Sequence, residues 1–167
     1  MISEAMQEAL SGQLNREYGS AYLYLAMSAY CSHADFNGSA HWFRLQHEEE
    51  QLHAARVYDY LIEQGVHVTL TEIAEPTTDF TSLRSVFEAS LTHEQDMTAH
   101  LNDLSDQALQ EKDHATYNLL QWFVNEQVEE EATLAAIIAK LRLVNDDGYG
   151  LLMIDTELGE RSADAPA

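Results

Sequence analysis

Glu50 and His53 form a Glu-x-x-His pair in the run His47-Glu48-Glu49-Glu50-Gln51-Leu52-His53. On a helix, residues three apart share a face, so a carboxylate and an imidazole would lie one turn apart. That is a metal-ligating pair by chemistry, although the same spacing also occurs on solvated helix faces. A register argument adds to it. Glu17 lies 33 positions before Glu50, and Glu94 lies 33 positions before Gln127. An offset of 77 then relates Glu17 to Glu94, Glu50 to Gln127, His53 to Glu130 and Glu49 to Glu126. The chain therefore reads as two related halves with acidic or polar residues at matched positions.

Positioning these residues falls to helices. Pro76 and Pro166 are the only prolines, while Ala, Leu, Glu and Gln recur throughout. Apolar residues at helical spacing mark a first helix over about Glu4 to Ser32, with Met6, Leu10, Leu14, Ala21 and Leu25 on it. Asp35-Phe36-Asn37-Gly38 is a turn. A second helix runs from about Gly38 to Gln64 and ends at Gly65 as its C′ residue. The pattern is lost over Val66 to Thr81. A third helix spans Ser82 to about Glu111, and Asp113 is the expected N-cap of a fourth reaching Val144. After Asn145–Gly150 comes a short apolar helix, Leu151 to about Leu158. Residues 1–160 read as a single domain and 161–167 as a frayed tail. Gly12 and Gly19, on one face of the first helix, each cost about 1 kcal/mol against Ala and call for a close helix neighbour.

Connection lengths set the topology. About five residues join the first two helices, and about as few join the third and fourth, so each pair is an antiparallel hairpin. The middle connection of about 16 residues reaches roughly 50 Å when extended, longer than a bundle of helices about 42 Å long. It lets the second and third helices point the same way. The expected fold is all-α: an up-down-down-up four-helix bundle with one long crossover and a short fifth helix. In it, Glu17, Glu50, Glu94 and Glu130 each lie roughly 18 to 23 Å along their helices and meet at mid-bundle. Carboxylates so placed repel and lose hydration, and a bound multivalent cation resolves both costs.

Composition points the same way. The 167 residues carry 29 acidic and 8 basic side chains, a formal charge of −21. That excess excludes binding to a nucleic-acid backbone or an anionic membrane and favours cations. Hydrophobic residues at 46% are too many for a disordered acidic chain. One cysteine, Cys31, excludes an intrachain disulfide framework and a cysteine-rich zinc site. No apolar run approaches the about 18 residues that span a bilayer, and the N-terminus lacks a basic-then-apolar pattern, so a cytoplasmic protein is expected.

Over nearly its whole length the chain resembles the non-haem ferritins, most closely the bacterial branch. The stretches that carry the resemblance are Asn15-Arg16-Glu17-Tyr18 with Tyr24, the run from His47 to His53, Glu94, and Gln121-Trp122-Phe123-Val124-Asn125-Glu126-Gln127-Val128-Glu129-Glu130-Glu131. The resemblance implies a ferritin-like bundle assembling into a hollow shell of roughly 24 copies. It implies a ferroxidase that oxidises Fe(II) with O2 or H2O2 and stores a ferric oxyhydroxide mineral. Glu17, Glu50 and His53 would hold one iron; Glu50, Glu94 and Glu130 would hold the second, with Glu50 bridging. Glu49, Glu126 and Glu129, with Glu130, match the third iron site of bacterial ferritins. Gln127 stands where the family has a polar residue that either ligates or hydrogen-bonds at the centre. Tyr24 matches the tyrosine beside the first iron, as hydrogen-bonding partner or one-electron donor, and Trp122 matches a nearby packing residue. Gln127-x-x-Glu130 lacks the second histidine of bacterioferritins, which suits a centre that passes iron onward. Gln51 stands where bacterioferritins have a haem-ligating Met, so no haem is expected. Tyr117 and Leu120 stand where animal ferritins carry acidic three-fold channel residues, which counts against a channel of that type. The fifth helix would be buried at a four-fold axis or within its own subunit. Two rival functions fit the same residues: a peroxide-detoxifying di-iron oxidase that stores little, and an acidic helical protein that binds divalent metal without turnover.

Overall fold

The computed structural model describes residues 2–145 and 147–162. Of the tail expected over 161–167, residues 163–167 lie outside the described residues. Five helices follow in order: α1 (Glu4–His33), α2 (Asn37–Glu63), α3 (Leu83–Gln110), α4 (His114–Val144) and α5 (Gly148–Leu158). Among the described residues there is no strand, and no helix is long and apolar enough to cross a membrane.

Local chemistry explains the helix ends. Ser3 accepts from the Met6 amide at the start of α1. Ser82 and Ser85 exchange side chain-to-backbone bonds in a capping box that opens α3. Asp113 accepts from the Thr116 amide and caps α4, as its sequence position predicts. Gly65 follows α2 with a φ of 75°, the left-handed geometry expected of a C′ glycine. α5 starts three residues before the expected Leu151, because Asp147 accepts from the Gly150 amide at 2.9 Å and nucleates the turn at Gly148.

Two apolar clusters form the core and show the helix directions. One joins Tyr24, Met27 and Cys31 of α1 to Trp42 and Phe43 of α2, Val86 and Phe87 of α3, and Leu134 to Leu141 of α4. The other joins Met6, Leu10 and Leu14 to Val57 and Leu61, Leu101 and Leu104, and Leu120 and Phe123. The late part of α1 thus meets the early parts of α2 and α3 and the late part of α4. So α2 and α3 run parallel, each antiparallel to its hairpin partner, and residues 64–82 make the long crossover. Between the two apolar plugs lies a buried polar layer: Gln13, Glu17, Ser20, Gln46, Glu50, His53, Ser90, Glu94, Gln127 and Glu130. The Cys31 thiol sits in the first cluster, and burial pushes it up to about 12, so it is inert as a ligand or nucleophile.

α5 packs on α2 and α4 of its own chain, with Ile154 and Leu158 entering the first cluster. Tyr149, Leu152 and Met153 stay on its exposed side. Its buried carboxylate, Asp155, supplies the cap that α2 lacks, since Phe36 at the N-cap position has no capping side chain. Asp155 accepts from the Gly38 amide at 3.0 Å and from the Ser39 amide and hydroxyl at 2.7 Å each. The close backbone approach therefore occurs at Gly38, where a Cβ would sit 1.7 Å from the Asp155 carbonyl oxygen. Gly12 and Gly19, expected to meet a helix, have nothing within 4 Å of a Cβ position. They face the crossover, lining shallow grooves against residues such as Thr69 and Ile73, not a packed helix. Asp155→Ala is expected to cost about 2–3 kcal/mol in denaturant unfolding, because it strips three partners from one buried helix start. A loss below about 0.5 kcal/mol would mean that apolar contacts alone seat α5.

A candidate metal centre at mid-bundle

Each helix delivers its polar residues from positions that otherwise face the core. On α2, Gln46, Glu50 and His53 follow i, i+4, i+7 spacing and so share one stripe. On α1 the matching residues are Gln13, Glu17 and Tyr24; on α3, Ser90 and Glu94; on α4, Gln127 and Glu130. The four carboxylates are only 1–3% exposed.

Glu17, Glu50 and His53 each offer a ligand atom within 4.8 Å of the others. His53 Nδ1 lies 3.7 Å from Glu50 Oε2, and Gln13 Nε2 donates to Glu17 Oε1 at 2.5 Å. Gln13 Oε1 has no partner although it is buried. Glu94 lies across the layer with both oxygens engaged: the Tyr24 hydroxyl donates to Oε1, and Gln127 Nε2 donates to Oε2 at 2.9 Å. Ser90 Oγ donates to the Tyr24 oxygen at 3.2 Å. Glu130 Oε2 accepts from Gln46 Nε2 at 2.9 Å. The 33-residue spacing is thus a real contact in the second hairpin, Gln127 to Glu94, and recurs in the first between Glu17 and Glu50.

Electrostatics follows from the crowding. Burial, then the Glu50 charge, holds Glu17 well above the usual carboxylate range. Burial, then Glu94 and Glu130, does the same to Glu50. Glu130 is pushed up to about 8 by burial and then by Glu94. Burial and then Glu94 also hold the Tyr24 hydroxyl well above its ordinary value, so it stays a donor. Without a cation, these carboxyls compete for protons. A divalent cation supplies the opposite charge, and its binding expels them. Hard oxygen donors with a single imidazole suit iron in both oxidation states.

An aromatic wall closes one side. Trp122 and Phe123 meet the His53 ring edge-on at 5.3 and 5.9 Å, and Arg56 lies over Trp122 at 3.9 Å. Trp122 therefore packs against the imidazole. The outer acidic residues are not gathered in this way. Glu49 and Glu126 are half-buried and Glu129 is exposed, and none joins a ligand group of the kind formed by Glu17, Glu50 and His53 among the described residues. Glu49 is engaged elsewhere, with Arg161 at 2.5 Å. The buried partners Gln13, Gln46 and Ser90 were not anticipated from the sequence. The signal for Gln13 and Gln46 was present: each stands four residues before a candidate ligand, on a core-facing stripe.

The chain matches the family model of the ferritin-like domain over residues 7–144. It is 40% identical over 164 residues to the bacterial non-heme ferritin of Staphylococcus aureus (strain MRSA252), covering 98% of this chain and 99% of that protein. The protein of the same name from Staphylococcus haemolyticus is also 40% identical over 164 residues, with the same coverage. Among solved structures, an open pore ferritin from the hyperthermophilic archaeon Archaeoglobus fulgidus superposes with a TM-score of 0.96 at 44% identity. That alignment covers 97% of this chain and all of the other. A humanized archaeal ferritin superposes with a TM-score of 0.95 at 44% identity, covering 97% of this chain and 98% of the other.

Proposed function

This chain belongs to the ferritin family and serves in iron storage, and on that premise we propose that its buried polar layer is the ferroxidase centre that loads the store. The observation that carries the reading is the buried Glu17, Glu50 and His53 group, a three-ligand set in a layer of two further carboxylates. Fe(II) is the substrate. Two ferrous ions give two electrons to O2, which takes up two protons and leaves as H2O2, or to H2O2, which takes up two protons and leaves as two waters. In this reading Glu17, Glu50 and His53 hold one iron, and Glu50, Glu94 and Glu130 hold the other, with Glu50 shared. Glu49, Glu126 and Glu129, with Glu130, serve a third iron at the edge of the centre. The ferric product is stored as an oxyhydroxide mineral inside a homo-oligomeric shell of roughly 24 copies in the cytoplasm, without haem.

The chain's own groups have definite parts. Tyr24 and Gln127 orient Glu94 through its two oxygens. Gln127 acts there as a hydrogen-bond donor, with its amide nitrogen turned to the Glu94 carboxylate. Gln13 orients Glu17, and Gln46 orients Glu130. Such partners typically account for a 10- to 100-fold effect on metal affinity or activity. Protons held by Glu17, Glu50 and Glu130 are released when iron binds. The charge of −21 per subunit, on the order of −500 for a full shell, draws cations inward before any ligand is met.

Aerobic addition of Fe(II) to the iron-free shell tests the proposal. O2 uptake is expected to continue through hundreds of irons per shell. Saturation after a few irons per subunit would indicate a detoxifying oxidase, and no O2 uptake would indicate a passive metal binder; either result overturns the storage ferroxidase.

A further inference from the structure

Arg161 was expected in a frayed tail, yet its side chain is only 8% exposed. Its guanidinium lies 4.9 Å over the Trp42 ring, and its carbonyl oxygen pairs with His41 Nε2 at 3.0 Å. Nη2 donates to Glu49 Oε2 and Nη1 to Gln46 Oε1, both at 2.5 Å. Gln46 is fully buried, and with Oε1 turned to Arg161 its Nε2 must face the other way, where it donates to Glu130 Oε2. One guanidinium thus grips a carboxylate at the edge of the centre and, through one amide, orients a carboxylate inside it.

We infer that Arg161 is a positioning residue of the metal centre, which holds Glu49 in an ion pair and fixes Gln46 against Glu130, so that a cation using Glu49 must first displace the guanidinium. The inference rests on the ferroxidase reading only for the identity of the inner ligands. The physical reason is competition. Glu49 Oε2 already takes the guanidinium at 2.5 Å, and a divalent cation on that carboxylate brings a second positive charge within a few ångströms, so the two compete for it. Expelling Arg161 also undoes its stacking on Trp42 and releases the segment beyond Gly159. The inner positions therefore fill first, and the outer one fills at the cost of the C-terminal anchor.

Calorimetric titration of the iron-free shell with Zn(II), which has no redox chemistry, separates the two classes of site. The wild type is expected to bind two cations tightly per subunit and a third more weakly. Arg161→Gln should tighten the third by about tenfold, leave the cation held by Glu17, Glu50 and His53 within about twofold, and weaken the one held through Glu130 by up to about tenfold, as Gln46 loses its anchor. Arg161→Lys should restore most of the wild-type difference, and in a Glu49→Gln background the effect of Arg161→Gln on the third cation should vanish. In the wild type, amide exchange over residues 159–162 should rise only as the third cation binds, a measurement that needs no variant to assemble. An unchanged third affinity in Arg161→Gln, an equal shift at all sites, or no rise in exchange overturns the inference. The ferroxidase reading fails separately, if the wild type shows no tight Zn(II) binding that Glu50→Ala removes.

Discussion

Glu50→Ala is expected to lower the initial rate of Fe(II) oxidation by at least about 100-fold. Its carboxylate stands in the group with Glu17 and His53, and its proton affinity is raised by Glu94 and Glu130, so it lies between the two halves of the layer. A residue in that place serves both irons in the proposed centre, and its loss removes a ligand from each. Loss of packing is not the cause, because Glu50 is one of several buried like charges and its removal relieves their repulsion. Glu50→Gln keeps the side-chain volume and should lose the fast phase as fully as Glu50→Ala. Stopped-flow absorbance after Fe(II) mixing, paired with thermal melting of the iron-free protein, reads both effects. A fast phase that survives in both variants, at unchanged melting temperature, removes Glu50 from the mechanism.

The second large effect concerns the iron-free protein and pH. Glu130 ionises near 4.5 in the unfolded chain and at about 8 in the fold. Between those values the folded state keeps a proton that the unfolded chain has lost. Stability is therefore fully present below about pH 4.5 and falls as pH rises toward 8. For a group this buried the loss is on the order of 5 kcal/mol. Glu17 and Glu50, raised in the same direction, steepen it. A bound divalent cation replaces the protons and removes the loss. In the presence of chelator, the melting temperature should drop from pH 5 to pH 8 in the wild type and drop distinctly less in Glu130→Gln. With Zn(II) added, both dependences should flatten. A wild-type protein that melts higher at pH 8 than at pH 5, in chelator, would show that this carboxyl is ionised in the fold at neutral pH.

Much of the candidate centre's geometry is legible in the sequence, for a physical reason. Helical side chains repeat at a set spacing, so Glu50 and His53 had to share a stripe, and hairpin register had to bring Glu17 beside Glu50 and Glu94 beside Gln127. The topology was legible because the crossover is long enough to run the length of the bundle while the hairpin turns are short. The glycines misled because a helix sequence shows that a face is small but not what lies opposite it. The free space at Gly12 and Gly19, and the tight approach at Gly38, depend on where the crossover and α5 lie.

The sequence by itself determined the helices, their order, and the depth at which the acidic residues lie, because these follow from local spacing and chain length. Only the tertiary structure decided which partner each polar atom takes. Asp155 caps a helix more than a hundred residues away, Gln46 chooses Glu130, and Arg161 returns from beyond the fifth helix to hold Glu49. Such pairings are set by directions and distances between elements remote in the chain, where one ångström separates a hydrogen bond from none. Periodicity carries no record of them.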